Sequence, residues 1–202
     1  MKPNPRHDYY ARRARERQYP ARSVFKLEEI QKKFGVLKSG SRVIDLGCCP
    51  GSWLLFASEV VGSRGLVFGV DITPLTLRLP PNVHFIQQDV LTWDESFVEA
   101  IGTNFQVVLS DMAPSTTGSK FVDSQRSLEL SESALSISAR VLRPGGAFVC
   151  KVFQGSDFKR FSDRVGESFS RVARFKPKSS RKASKEVYVV ASGKKGVRRE
   201  KK

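Results

Sequence analysis

Four short apolar runs in this chain end on a charged residue, and nothing else in the sequence limits the fold as strongly. Leu66–Asp71, Val83–Asp89 and Phe105–Asp111 each close on an aspartate, and Ala147–Phe153 carries Lys151 near its end. A charged side chain inside an apolar strand is costly unless that end of the strand faces a site. A further run, Val43–Leu46, leads into the turn Gly47-Cys48-Cys49-Pro50-Gly51, and a helix-like segment follows from Ser52 to about Val60. Helical spacing also marks the segment from Ser23, where Phe25 or Lys26, Ile30 and Phe34 recur and Gly35 offers a C-cap. A long helix is expected between Ser124 and Arg143, stopped by Pro144-Gly145-Gly146.

Strands alternating with helices imply a mostly parallel sheet with helices on both faces. Phe169–Lys176 and Glu186–Ala191 break the rule, because the basic connection Pro177–Lys185 is too short for a helical crossover. The expected class is therefore α/β, a mostly parallel seven-stranded sheet with an antiparallel last strand. The expected organisation is a flexible basic arm over 1–20, one domain over 21–193 and a disordered basic tail over 194–202.

Charge separates these parts. The formal net charge is +15. Residues 1–22 contribute +5 and residues 171–202 contribute +11, whereas residues 23–170 sum to −1. Basic ends on a neutral body are suited to phosphate neutralisation. Tyr9, Tyr10 and Tyr19 lie among the arm's arginines, placed either to stack on unpaired bases or to dock on the domain. No apolar run approaches the roughly 20 residues of a membrane helix. Cys48, Cys49 and Cys150 match neither a disulfide framework nor a zinc spacing, so they are read as small packing residues, with the cytoplasm as the expected setting and no metal.

In open α/β sheets, ligands bind beyond the carboxyl ends of the strands. Gly47 and Gly51 let backbone pass close to a ligand, and Asp71, 20 residues past Gly51, is placed to accept hydrogen bonds from two ribose hydroxyls. The loop lacks both the Gly-x-Gly-x-x-Gly spacing of a dinucleotide site and the Gly-Lys-Ser/Thr of a phosphate loop. An adenosine-containing cofactor without a pyrophosphate is the better fit, and S-adenosylmethionine is the expected one.

Five segments then carry a family resemblance. Ser23-Val24-Phe25-Lys26-Leu27-Glu28-Glu29-Ile30, the stretch Val43 to Trp53, Leu109-Ser110-Asp111-Met112-Ala113-Pro114, the stretch Gly145 to Gly155 and the stretch Ser179 to Tyr188 together resemble the FtsJ/RrmJ (RlmE) family. These are bacterial methyltransferases of ribosomal RNA. The resemblance runs from about Arg22 to Lys194. It implies a Rossmann-like S-adenosylmethionine-dependent methyltransferase that modifies the 2′-oxygen of a uridine in the A-loop of 23S ribosomal RNA. It also implies cofactor contacts at Gly51, Trp53, Asp71, Asp89 and Asp111, and catalysis at Lys151.

The chemistry asks for similar groups. In-line displacement on a sulfonium needs alignment of oxygen, methyl carbon and sulfur. A ribose hydroxyl needs a side chain within hydrogen-bond reach to take its proton or orient its lone pair. Lys151 is the expected base or orienting group, with Asp111 and Lys26 positioning it and Glu186 orienting the ribose or the lysine pair. Taken singly, Lys26 also reads as a solvated charge, and Glu186 as a partner of Lys185.

Family members usually carry alanines and glycine where this chain has Cys48, Cys49 and Ser52, which bears on cofactor affinity. Base methylation is disfavoured, because the motif at Asp111-Met112-Ala113-Pro114 lacks an aromatic to hold a flipped base. The expected partner is ribosomal RNA within the large (50S) subunit, with the protein acting as a monomer and away from membranes. Transfer RNA or messenger-cap ribose as substrate, and a non-catalytic RNA-binding module, are the alternatives.

Overall fold

The computed structural model describes residues 5–115 and 117–196, with side chains from Tyr9 onward. Seven strands and six helices fill that range, in the order α1 (Pro5–Glu16), α2 (Val24–Phe34), β1 (Arg42–Leu46), α3 (Ser52–Val61), β2 (Leu66–Asp71), β3 (Val83–Gln87), α4 (Glu95–Ile101), β4 (Phe105–Ser110), α5 (Lys120–Val141), β5 (Leu142–Phe153), α6 (Phe158–Ser168), β6 (Phe169–Phe175) and β7 (Glu186–Lys194). No helix among the described residues is long and apolar enough to cross a membrane.

The sheet runs β3-β2-β1-β4-β5-β7-β6. Every pairing up to β4–β5 is parallel, and β7 is antiparallel to both of its neighbours. The last strand thus slots between β5 and β6, as the short Pro177–Lys185 connection requires. Glu29 of α2 anchors that connection by accepting from the backbone N–H groups of Lys178 (2.7 Å) and Ser179 (2.8 Å).

Side chains alternate across the sheet with the period of two that pleating imposes. Phe148, Cys150 and Val152 of β5 and Val187, Val189 and Ala191 of β7 join the core beneath α4, α5 and α6. Ala147 and Val149 of β5 and Tyr188 and Val190 of β7 join the core beneath α2 and α3. By the same parity Lys151 falls on the α2 face, and its lone charge among apolar neighbours is brought opposite Lys26.

Three boundaries differ from the sequence reading. Residues 1–20 are expected as a flexible arm, but the described part forms α1 and docks. Ala14 and Tyr19 join the core beneath α2, the Tyr19 hydroxyl donates to Glu59 (2.6 Å), and Tyr10 packs its ring 5.4 Å from that of Phe25. Burying those apolar surfaces outweighs the local charge density, which the arginines relieve by lying over aromatic faces, Arg13 5.3 Å from the Phe25 centroid. At the other end β7 reaches Lys194, and Lys195 caps α6 through its Nζ, which donates to the carbonyls of Gly166 and Glu167. The rest of the expected tail, from residue 197, lies outside the described residues. Helix α5 starts four residues before the expected Ser124, because Ser119 caps it by accepting from the Val122 N–H, and ends at Val141. Pro144-Gly145-Gly146 sits inside β5, where the pairing with β4 shifts register between Phe105 and Val107.

Candidate active site

Strand ends deliver the functional groups to one edge of the sheet. At the end of β1 the chain turns through Gly47, whose φ is +74°, and a Cβ there would come within 2.3 Å of Met112 Cγ. Only glycine lets this turn pass the segment that follows β4. The turn then enters α3 through Gly51, also left-handed at φ +105°. Asp71, at the end of β2, braces the turn from the far side by accepting from the N–H groups of Cys49 (2.9 Å) and Thr73 (2.8 Å).

Between these segments lies a cavity with about 750 Å3 of empty space, whose lining includes Gly47, Cys49, Asp71, Asp89, Asp111 and Met112. Three of the five expected cofactor residues, Asp71, Asp89 and Asp111, therefore meet around one space. Gly51 and Trp53 do not line it. Trp53 is only 3% exposed. Its indole N–H donates to the carbonyl of Ser23 (2.9 Å), and its ring lies 5.8 Å from that of Tyr188. Trp53 thereby ties α3 to the start of α2. Ser52 does similar work, linking to both the N–H and the carbonyl of Ala21 (2.7 and 3.0 Å), so its extra bulk is turned away from the cavity.

The expected Lys–Asp–Lys–Glu set assembles beside this space. Lys151 Nζ lies 2.9 Å from Asp111 Oδ1 and also donates to the Asp111 carbonyl. Lys26 Nζ lies 2.8 Å from Glu186 Oε2 and 3.8 Å from Asp111 Oδ1. Lys151 is 6% exposed. Tyr188 completes the group: its hydroxyl donates to Asp111 Oδ1 at 2.6 Å. Sequence reasoning quotes this tyrosine within a motif and assigns it no role, since a tyrosine in an apolar strand is indistinguishable from core until its hydroxyl's partner is known. Burial would raise the Asp111 pKa, but Lys151, Lys26 and the two hydrogen bonds outweigh it and hold the carboxyl below the ordinary aspartate value. The Tyr188 hydroxyl is pushed well up by burial and by the facing Asp111 carboxylate, so it stays a donor.

Asp45 of β1 is a second group the sequence reading does not single out. It is fully buried, neither carboxylate oxygen has a hydrogen-bond partner, and burial followed by Asp111 and Asp71 drives its pKa well up. Its carboxyl is thereby biased toward the protonated form behind the site. The three thiols are likewise held protonated by burial, Cys150 pushed up to about 12, which fits their expected packing role.

On the far side of the Lys26–Glu186 pair a wider cleft opens, with about 910 Å3 of empty space, lined by Arg22, Lys26, Ser179, Arg181, Ser184 and Glu186 among others. Arg22 is fixed there by donating to the Ser179 carbonyl. The charged cluster therefore separates two spaces, one edged by carboxylates and one by guanidinium groups. Asp111 edges the first space and Lys26 and Glu186 the second, so the cluster's ion pairs join the two.

Known proteins carry the same arrangement of sequence. The FtsJ-like methyltransferase family profile matches residues 19–194. "Ribosomal RNA large subunit methyltransferase E" of Desulfatibacillum aliphaticivorans is 51% identical over 189 residues, covering 94% of this chain and 91% of that one. The protein of the same name from Bdellovibrio bacteriovorus is 46% identical over 195 residues, covering 95% and 98%. Among solved structures, a Plasmodium falciparum chain described as a ribosomal RNA methyltransferase superimposes with a TM-score of 0.78 at 28% identity, over 89% of this chain and 100% of that one. With the profile spanning nearly all of the sheet and every member of the charged cluster, the chain belongs to the FtsJ-like methyltransferase family.

Proposed function

We propose that the chain transfers a methyl group from S-adenosylmethionine to the 2′-oxygen of a uridine ribose in the A-loop of large-subunit ribosomal RNA, acting in the cytoplasm on the 50S subunit as a monomer. The single observation that carries this reading is Asp111, which lines the acidic cavity while pairing with Lys151 and Lys26. The names of the relatives supply the substrate class, and the basic cleft beyond Glu186 suits a polyanion.

The cavity fits the cofactor. Its enclosed volume of about 340 Å3 is within the roughly 300–1,000 Å3 typical of such sites, Asp71 and Asp89 supply acceptors suited to nucleoside donors, and Gly47 lets the turn pass against Met112. When bound, S-adenosylmethionine supplies an electrophilic methyl carbon on a sulfonium, so that the carbon–sulfur bond breaks as the oxygen–carbon bond forms.

The chain's own residues do the rest. As an ammonium, Lys151 holds the oxygen's lone pair in line, and as the neutral amine it takes the hydroxyl proton, a contribution worth roughly 10²–10⁴ in rate. Asp111 fixes the Lys151 Nζ by two contacts and keeps it from rotating away. Lys26 bridges Asp111 to Glu186, so that the ribose meets a set of groups whose positions are mutually determined.

The test is methyl transfer from labelled S-adenosylmethionine to large ribosomal subunits lacking the modification, by wild type and Lys151→Ala, with the labelled nucleotide mapped by mass spectrometry. A single 2′-O-methyluridine in the A-loop, formed by wild type only, is the expected result. Label on transfer RNA instead would move the substrate, and absence of label on either RNA would overturn the catalytic reading in favour of an RNA-binding module.

A further inference from the structure

We infer that a groove at the outer end of β5 is a stacking subsite for an unpaired base of the RNA, next to the nucleotide whose ribose is methylated, with Phe121 as its platform. The inference rests on the reading that the acceptor is RNA.

The groove holds about 600 Å3 of empty space between the first turns of α5, the end of β5 and the start of α6, and its lining includes Lys120, Phe121, Ser124, Phe153, Gly155 and Lys185. Phe121 is 71% exposed, the largest value among the exposed large apolar side chains of the described residues. A phenyl ring left in water in the first turn of a helix contributes nothing to the core. Val122 beside it is exposed as well. On a groove wall, such a ring offers the flat apolar face that any base can cover.

The electrostatics select the kind of ligand. Lys120 and Lys185 flank the groove, and neither forms an ion pair among the described residues. Asp157, the acid on the lining, is occupied by Gln125 (3.1 Å), Ser156 (3.0 Å) and Arg160 (3.3 Å). Two ammonium groups lining one groove with an aromatic face match the phosphates that accompany a base.

Position ties the groove to the reaction. Val152 and Phe153 directly follow Lys151, Lys185 directly precedes Glu186, and Phe153 faces Glu186 in the β5–β7 register. The Gln154 N–H donates to the Lys185 carbonyl at 2.9 Å, so the flank is joined to the charged cluster through the sheet itself. Gly155 lets the base of the groove close up, since a Cβ there would lie 3.3 Å from Ser124 Cβ. Lys151 lies on the α2 face and the groove on the α5–α6 side of the same strand end, so a chain neighbour of the nucleotide at Lys151 reaches this space by passing over the end of β5.

The experiment uses the full-length protein and a synthetic RNA hairpin whose loop contains the mapped acceptor, together with versions abasic at each flanking position. Wild-type transfer to unmodified large subunits and to the hairpin is measured first: absence on both would overturn the RNA reading and the subsite together, and transfer to subunits alone moves the Phe121→Ala comparison to subunits, where an unchanged KM overturns the subsite. Given transfer, Phe121→Ala is expected to raise KM for RNA about tenfold with kcat and S-adenosylmethionine affinity unchanged, and Phe121→Trp to restore it. At one flanking position the abasic substitution should cost wild type a similar factor and cost Phe121→Ala nothing further. Lys120→Ala and Lys185→Ala should each lower the salt slope of RNA binding by about 0.7. Unchanged KM in Phe121→Ala, or losses that multiply at every flanking position, would overturn the subsite and leave the methyltransferase reading standing. A change in sedimentation with KM unaltered would overturn it in favour of self-association.

Discussion

Asp45 and Asp111 stand on neighbouring strands of one sheet, both deep in the protein, and their carboxyls behave in opposite ways. Asp45 has no hydrogen-bond partner for either oxygen and its pKa is driven well up, by burial first and then by Asp111 and Asp71. Asp111 feels a comparable burial, but two ammonium groups and a tyrosine hydroxyl converge on it and its pKa falls below the ordinary value. Depth does not set the charge of a buried acid; its inventory of donors does. The consequence is a site with one carboxylate held ionised by its lysines and, behind it, a second acid pushed toward its protonated form, which limits competition for the same cations.

The largest expected break in that contrast is Asp111→Asn. Removing one partner from a buried ionic group leaves Lys151 without its carboxylate, so unfolding free energy should drop by about 3–5 kcal/mol in chemical denaturation, with methyl transfer lost. Next comes Tyr188→Phe, which deletes a hydrogen bond to a charged acceptor and should cost about 2 kcal/mol in the same assay, while cofactor affinity measured by calorimetry stays close to wild type.

Asp45→Asn sharpens the contrast through pH. A raised folded-state pKa means that Asp45 opposes folding increasingly as pH climbs above the ordinary carboxylate range. The variant should therefore gain on wild type by about 1–2 kcal/mol at pH 8 and by little at pH 4, read from denaturation across that range. Asp111 has the reverse sign: its lowered pKa gives stability that is complete above the ordinary range and disappears as pH falls through the folded value. Asp111→Asn should accordingly lose its deficit in acid. The smallest effect is expected from Trp53→Phe, which strands the Ser23 carbonyl at a cost of about 1 kcal/mol. Cofactor affinity should hold while kcat drops, since the indole braces the start of the helix bearing Lys26; an affinity loss with kcat intact would mark Trp53 as a cofactor contact.

The strand ends were legible because a charge that closes an apolar run has few physical excuses, and this located Asp71, Asp89, Asp111 and Lys151. Lys26 and Glu186 are ambiguous one at a time, and only their order with Asp111 and Lys151 makes them a set. What escaped depends on distant partners. Tyr188 differs from a core tyrosine only by the carboxylate 77 positions away in sequence, and the tie from Trp53 to the Ser23 carbonyl spans 30 positions. Asp45, inside Val43–Leu46, carries no sign of its raised pKa, because that follows from burial without donors around it. Among the arm's arginines, Tyr9, Tyr10 and Tyr19 read equally as base-stacking or docking residues, and only the burial of Ala14 and Tyr19 decides for docking.

Lys26 and Glu186 are joined across 160 positions of sequence, and the strand that brings Glu186 enters between two strands already present. A ribosome delivers the chain from its N-terminus, so α2 and the first four strands emerge long before their charges can be matched. Until residues 186–194 arrive, β5 and β6 are separated by an empty track one strand wide, and Lys26 and Asp111 wait without Glu186 and Tyr188. Synthesis order thus doubles as a safety catch: the fold cannot hold an assembled reaction centre before its last strand is made.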